Sequence, residues 1–144
     1  MTIQIVTGVD RTETALTAAR RAVQLASALD GDLHVISAYG KADAEVIEEG
    51  SEEFVVSNEQ SGLALAQEVV LTLQRETPEV RITAAAAGGK PAEALVRIAE
   101  HLGADLIVIG NRRVQGPARV LGSVARDVAA HAPCDVYIVH TTGR

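Results

Sequence analysis

The sequence predicts an α/β domain: a single doubly wound, five-stranded parallel sheet with four helices, an open three-layer sandwich. Short aliphatic runs alternate along the chain with longer segments whose apolar residues recur at helical spacing. Hydrophobic residues make up 47% of the sequence, yet it holds one Phe, two Tyr and no Trp. A core limited to Ala, Val, Leu and Ile suits helices packed over a buried sheet. At 144 residues the chain can close a full core without staples, and residues 1–144 read as one domain.

Each element has its own signal. Ile3–Val9 (IQIVTGV) is a strand ending at Asp10, and Asp10 and Thr12 offer side-chain acceptors to a following helix. From Thr14 to Leu29, Leu16, Ala19, Val23 and Ala26 form one stripe, which Asp30–Gly31 stops. Asp32–Tyr39 (DLHVISAY) is the second strand, so the opening order is strand, helix, strand, a parallel crossover. Lys41–Asn58 is acidic and poor in core residues, and reads as a solvated loop with at most a helical turn.

Helical spacing resumes over Glu59–Glu76 through Leu63, Ala66, Val70 and Leu73, and Pro78 bars continuation. Val80–Ala87 is the third strand. Pro91 suits a first helical turn, Leu95, Ile98, Ala99 and Leu102 mark an apolar face, and Gly103 ends the helix. Asp105–Ile109 is the fourth strand. Val124–His131 is a short helix with Val124 and Val128 inward, stopped by Pro133, and Asp135–His140 is the fifth strand.

Composition narrows the function. A formal net charge of −6 argues against a nucleic-acid surface or an anionic membrane partner. No run approaches the length of a membrane span, and the first residues lack the pattern of a secretory signal, so a cytoplasmic protein is expected. The single cysteine, Cys134, excludes a disulfide framework and reads as a small core residue. The four histidines show no metal-ligand spacing. No nucleophile–base pair or carboxylate pair stands out, so a dedicated enzyme is not expected.

Leu106–Ser123 (LIVIGNRRVQGPARVLGS) carries the chemistry. The aliphatic strand breaks at Gly110 into a loop bearing Arg112, Arg113 and Arg119, and closes on Gly122–Ser123 before a helix. Strand, glycine-broken basic loop and helix N-terminus together make a phosphate site, where backbone N–H groups and the helix dipole converge. Ser123 would also serve as an N-cap without any ligand. In doubly wound sheets ligands bind beyond the carboxyl ends of the strands, the edge where Asp10, Val35–Tyr39, Gly88–Gly89 and Gly110 fall. Lys90 in GGKP imitates a Walker lysine, but Ala84 stands where that motif needs glycine and no Ser or Thr follows.

VTGVD, LHVISAY, GGKPAEALVRIAEHLGADLIVIG and GSVARDVAAHAPCDVYIV together resemble the universal stress protein family over essentially the whole chain. The resemblance implies a Rossmann-like, adenine nucleotide alpha hydrolase-like fold that binds ATP, with Mg2+ a possible companion, in stress response. It implies that Asp10, with Gly8 and Val9 beside it, contacts ribose or a phosphate-side metal, and that Val35 lines the adenine pocket. Gly110 would begin the phosphate loop, and Gly122 and Ser123, with Val124 beside them, would hold phosphates through backbone N–H and hydroxyl. The family's nucleotide-binding pattern is Gly, two residues, Gly, nine residues, then Gly–Ser or Gly–Thr. Here Arg113 occupies the second glycine position, and eight residues rather than nine separate it from Gly122. Arginine resists left-handed φ but offers a bidentate fork to phosphate.

Two readings therefore stand. In the first, the chain binds ATP or another adenine nucleotide as a sensor, with slow hydrolysis at most. In the second, Arg113 and the shortened loop disable the site, and the chain is a nucleotide-free interaction module. Under either, the resemblance implies a homodimer through the terminal strand, residues 136–140.

Overall fold

The computed structural model describes residues 2–40, 52–112 and 121–141, the side chains of 52–57 and 112 excepted. Five parallel strands, β1 (Gln4–Val9), β2 (Asp32–Tyr39), β3 (Ile82–Gly88), β4 (Leu106–Arg112) and β5 (Asp135–Thr141), form one sheet in the order β3-β2-β1-β4-β5. Helices α1 (Glu13–Leu29), α2 (Glu52–Glu76), α3 (Pro91–Leu102) and α4 (Ser123–His131) connect them.

The central strands are buried on both faces, which is why they read as aliphatic runs rather than as alternating ones. Ile5, Leu33, Val35 and Val108 meet Ala18, Ala22 and Val23 of α1 and Ala66 and Leu73 of α2. Val6, Ile36, Ile107 and Ile109 meet Leu95 and Ala99 of α3 and Ala125 and Val128 of α4 on the other face. Thr7 is fully buried in the middle of the sheet, and its hydroxyl donates to the Val108 carbonyl at 2.8 Å. That bond removes the cost of a polar group at this depth.

Capping matches the sequence at three helix ends. Thr12 is the N-cap of α1, its Oγ1 accepting the Ala15 N–H at 3.2 Å. Gly103 closes α3 at φ 63°. Asp30 closes α1 at φ 60°, the only non-glycine residue with positive φ among those described.

Several expectations are corrected. Helix α2 begins at Glu52, so 52–58 is helical rather than loop. Once the packed turns around Ala66 and Leu73 have nucleated the helix, each further turn upstream is cheap. Residues 41–51 lie outside the described residues. Strand β4 does not break at Gly110. It continues to Arg112, because β5 supplies partners throughout, with Gly110 opposite Val139 and Asn111 opposite His140. Leu102 and Val124, read as inward, are 37% exposed, and Ala94 and Ala125 take the buried positions instead. Cys134 is only partly buried against the α3–α4 core, and burial with Asp135 and Asp105 nearby pushes its thiol up.

Candidate functional site

The strand order reverses between β1 and β4, so the crossovers leave them on opposite sides and open a crevice at their carboxyl ends. A cavity of about 390 Å³ occupies that crevice, within the range of small-molecule sites. Gly8, Val9 and Asp10 line it from β1, and Ile109, Gly110 and Asn111 from β4. Ile36, Ala38 and Leu95 form an apolar wall, and Thr12, Thr14 and Ala15 close the side nearest α1.

Glycine creates this space at two positions. A Cβ on Gly8 would lie 2.9 Å from Leu95 Cδ1, so a side chain there would push into the α3 side of the cavity. A Cβ on Gly110 would lie 2.9 Å from both the carbonyl oxygen and the methyl group of Thr14. Helix α1 therefore sits directly on the β4 backbone, and only glycine fits beneath it.

Asp10 follows β1 and shapes the entry to α1. Its Oδ1 accepts the Thr12 N–H at 2.8 Å and the Thr12 hydroxyl at 2.5 Å, while Thr12 in turn caps the helix. The carboxylate is exposed, beside the cavity. Three helix N-termini meet around the cavity: Thr12, Thr14 and Ala15 at α1, Pro91 of α3 and Gly122–Ala125 at α4 all line it. Their aligned peptide dipoles make the mouth favourable to an anion.

At α4 the N-cap is Gly122, not Ser123, and among the described residues no side chain caps the helix amides. Ser123 is the first helical residue and stands exposed at the cavity. Gly122's own N–H, expected to hold a phosphate, donates instead to Asn111 Oδ1 at 2.7 Å. Ser123, Val124 and Ala125 form the first turn of α4 and line the cavity, where a helix N-terminus presents backbone N–H groups.

Of the residues singled out from the sequence, the structure brings Gly8, Val9, Asp10, Gly110, Gly122, Ser123 and Val124 to one cavity. Val35 is placed elsewhere. Its side chain is fully buried against α1 and α2, on the opposite face of the sheet, and the cavity wall is Ile36 and Ala38. A one-residue offset in a strand reverses the face, so the wall runs through Ile36 and not its neighbour. Arg113 and Arg119, and the side chain of Arg112, lie outside the described residues. Sequence reasoning missed Asn111, Thr14, Ile36 and Leu95. Ile36 sits on a strand buried on both faces, whose sequence does not show which residues face which layer, and Thr14 and Leu95 are brought in only by helix packing.

His34 stands apart from the cavity. Its Nε2 is 2.6 Å from Gln4 Oε1 and its Nδ1 3.0 Å from Thr83 Oγ1. Burial holds its pKa below the ordinary 6.5, against the opposing pull of Asp32. Among the described residues, no group of three or more His, Cys, Asp or Glu side chains is arranged to hold a metal ion, and no helix is long and apolar enough to cross a membrane.

A parallel α/β sheet with a glycine-floored cavity at its switch point, ringed by helix N-termini, defines the class of open, Rossmann-like α/β proteins. Comparison with known proteins makes this specific: residues 1–140 match the universal stress protein family, and the chain belongs to that family. Universal stress protein Rv1636 of Mycobacterium tuberculosis strain H37Rv is 33% identical over 144 residues, covering 96% of either chain. A universal stress protein crystallised in complex with cAMP superposes with a TM-score of 0.76 at 29% identity, covering 96% of this chain and 97% of the other. The universal stress protein from Archaeoglobus fulgidus in complex with dAMP shares the fold, with a TM-score of 0.64 at 23% identity over 94% and 96% of the two chains.

Proposed function

We propose that this protein binds an adenine nucleotide in the β1–β4 cavity and acts in stress response as a sensor or interaction module. The observation that carries the reading is the convergence of three helix N-termini on a cavity with one apolar wall. Such a cavity suits a ligand with a flat apolar end and an anionic end. The relative crystallised with cAMP, similar over nearly the whole chain, supports the same ligand class.

In this reading the base lies against Ile36, Ala38 and Leu95. The phosphates take the amides of Ser123, Val124 and Ala125 with the Ser123 hydroxyl, and Asp10 serves the ribose or a phosphate-bound Mg2+. Arg112 and Arg113 add positive charge next to Gly110 in the sequence. ATP is one candidate ligand, alongside AMP and a cyclic nucleotide, and at most slow hydrolysis accompanies binding. The protein works as a single domain in the cytoplasm. Strand β5 forms an edge of the sheet, and we place a homodimer contact along residues 136–140, since an unpaired edge invites a second copy.

Isothermal titration with AMP, cAMP, and ATP with and without Mg2+ tests the binding. Saturable heat at submillimolar concentration of at least one nucleotide is expected. No heat from any of them up to millimolar concentration overturns the reading.

A further inference from the structure

A hydrogen bond between Asn111 and Gly122 joins the floor of the cavity to the start of α4. Asn111 lies on β4, one residue beyond Gly110, in register with His140 of β5. Its backbone carbonyl accepts the Thr141 hydroxyl at 2.9 Å, which ties it to the end of the neighbouring strand. Its side-chain Oδ1 accepts the Gly122 N–H at 2.7 Å, 11 residues further along the chain. A Cβ on Gly122 would come within 3.3 Å of that same oxygen, so the approach is close. Asn111 thus links the carboxyl ends of β4 and β5 to the start of α4.

Helix α4 has nine residues, and among the described residues no side chain caps it. Among the described residues its first turn is held by the buried Ala125, by the Arg126 N–H to Gly122 carbonyl bond at 2.9 Å and by the Asn111 tether. Short uncapped helix ends fray, and frayed amides would have to be ordered again when an anion arrives, at a cost to affinity.

Resting on the nucleotide-binding reading above, we infer that Asn111 is a positioning residue that presets the phosphate cradle. By occupying Gly122's N–H with a neutral acceptor, it fixes the α4 terminus so that the next three amides face the cavity. It adds no negative charge where the phosphate sits. An aspartate there would keep the tether and place a carboxylate beside the anion.

The test compares AMP with adenosine, which share the base and ribose and differ in the phosphate, on wild type, N111A and N111D. In wild type, AMP binds more tightly than adenosine. N111A loses roughly five- to tenfold in AMP affinity, the size of one hydrogen bond's contribution to order. N111D loses more at neutral pH and recovers as its carboxyl is protonated in acid. Adenosine affinity falls by less than AMP affinity in both variants, so the AMP-to-adenosine ratio drops. A ligand-free measurement runs in parallel: the Gly122 amide resonance shifts in N111A and stays near its wild-type position in N111D.

An AMP-to-adenosine ratio in N111A equal to wild type overturns the inference and leaves the nucleotide reading intact. A higher ratio in N111A also overturns it, since Asn111 would then compete with the phosphate. Wild type that binds neither compound removes both. A Gly122 resonance that does not respond to N111A removes the tether itself, whatever the ligand does.

Discussion

Thr14 lies directly over Gly110, its carbonyl oxygen and methyl both 2.9 Å from where a Cβ on the glycine would stand. The glycine that looks like the start of a phosphate loop is thus, in the first instance, the point where α1 rests on β4. The same contact sets the width of the cavity between them. Gly110→Ala must displace backbone rather than a side-chain tip, so it costs about 1–3 kcal/mol. Urea unfolding should show the midpoint falling with an unchanged slope. A neutral result would mean that α1 is not seated on β4 in this way.

Asp30 is held at φ 60°, ψ 44° at the carboxyl end of α1. Left-handed backbone strains any residue with a Cβ, and an acidic side chain there opposes the negative end of the helix dipole. Asp30→Gly removes both effects. It should raise stability by about 0.5–1 kcal/mol in thermal or denaturant unfolding, the Gly103 terminus of α3 being the internal precedent.

Folding depresses the pKa of His34 below 6.5, with burial as the larger cause. The folded state therefore prefers the neutral ring. Its contribution is fully present above pH 6.5 and is lost as pH falls through the folded value. Stability should decline on acidification from neutrality before the carboxylates begin to titrate. His34→Gln should flatten that first decline, and an identical profile in the variant would remove His34 as its cause.

Val35 and Ile36 are neighbours in β2 that face opposite layers. Val35→Ala should lower stability by about 2 kcal/mol and leave nucleotide affinity at the wild-type value. Ile36→Ala should lower stability and also weaken binding several-fold. Titration calorimetry on both, compared with their unfolding midpoints, separates the two faces.

Asp10 orders the entry to α1 through Thr12, so Asp10→Ala should have a small structural effect, about 0.5–1 kcal/mol, as for a lost cap. If Asp10 also touches ribose or a metal, nucleotide affinity falls by more than that loss explains. A double substitution with Thr12→Ala apportions the two.

Much of this was legible because the local signals agree with one another. Asp32–Tyr39 and Pro91–Leu102 have the expected bounds, since turn and capping residues border each. Gly8, Asp10, Gly110 and Gly122–Ser123 belong to one cavity, as strand ends in a parallel sheet must lie on one edge. The extension of β4 past Gly110 was not legible. A glycine after an aliphatic run signals a break, and only the ladder to β5 overrides it. The face of Val35 was lost for a related reason: a strand buried on both sides has no polar alternation to reveal its parity.

The sequence by itself determined the alternation of strands and helices, the aliphatic two-faced sheet and the edge at which a ligand would bind. These follow from periodicity, capping and the rule for parallel crossovers, all local or topological. Only the tertiary structure decided which residues wall the cavity and which backbone groups remain available in it. Leu95 reaches Gly8, Thr14 covers Gly110, and Asn111 takes the Gly122 amide. Each of those relationships joins residues distant or separately placed in the chain, and their contact depends on how closely helices seat on the sheet. That is a matter of packing volume and of competition for hydrogen-bond donors, which no single segment encodes.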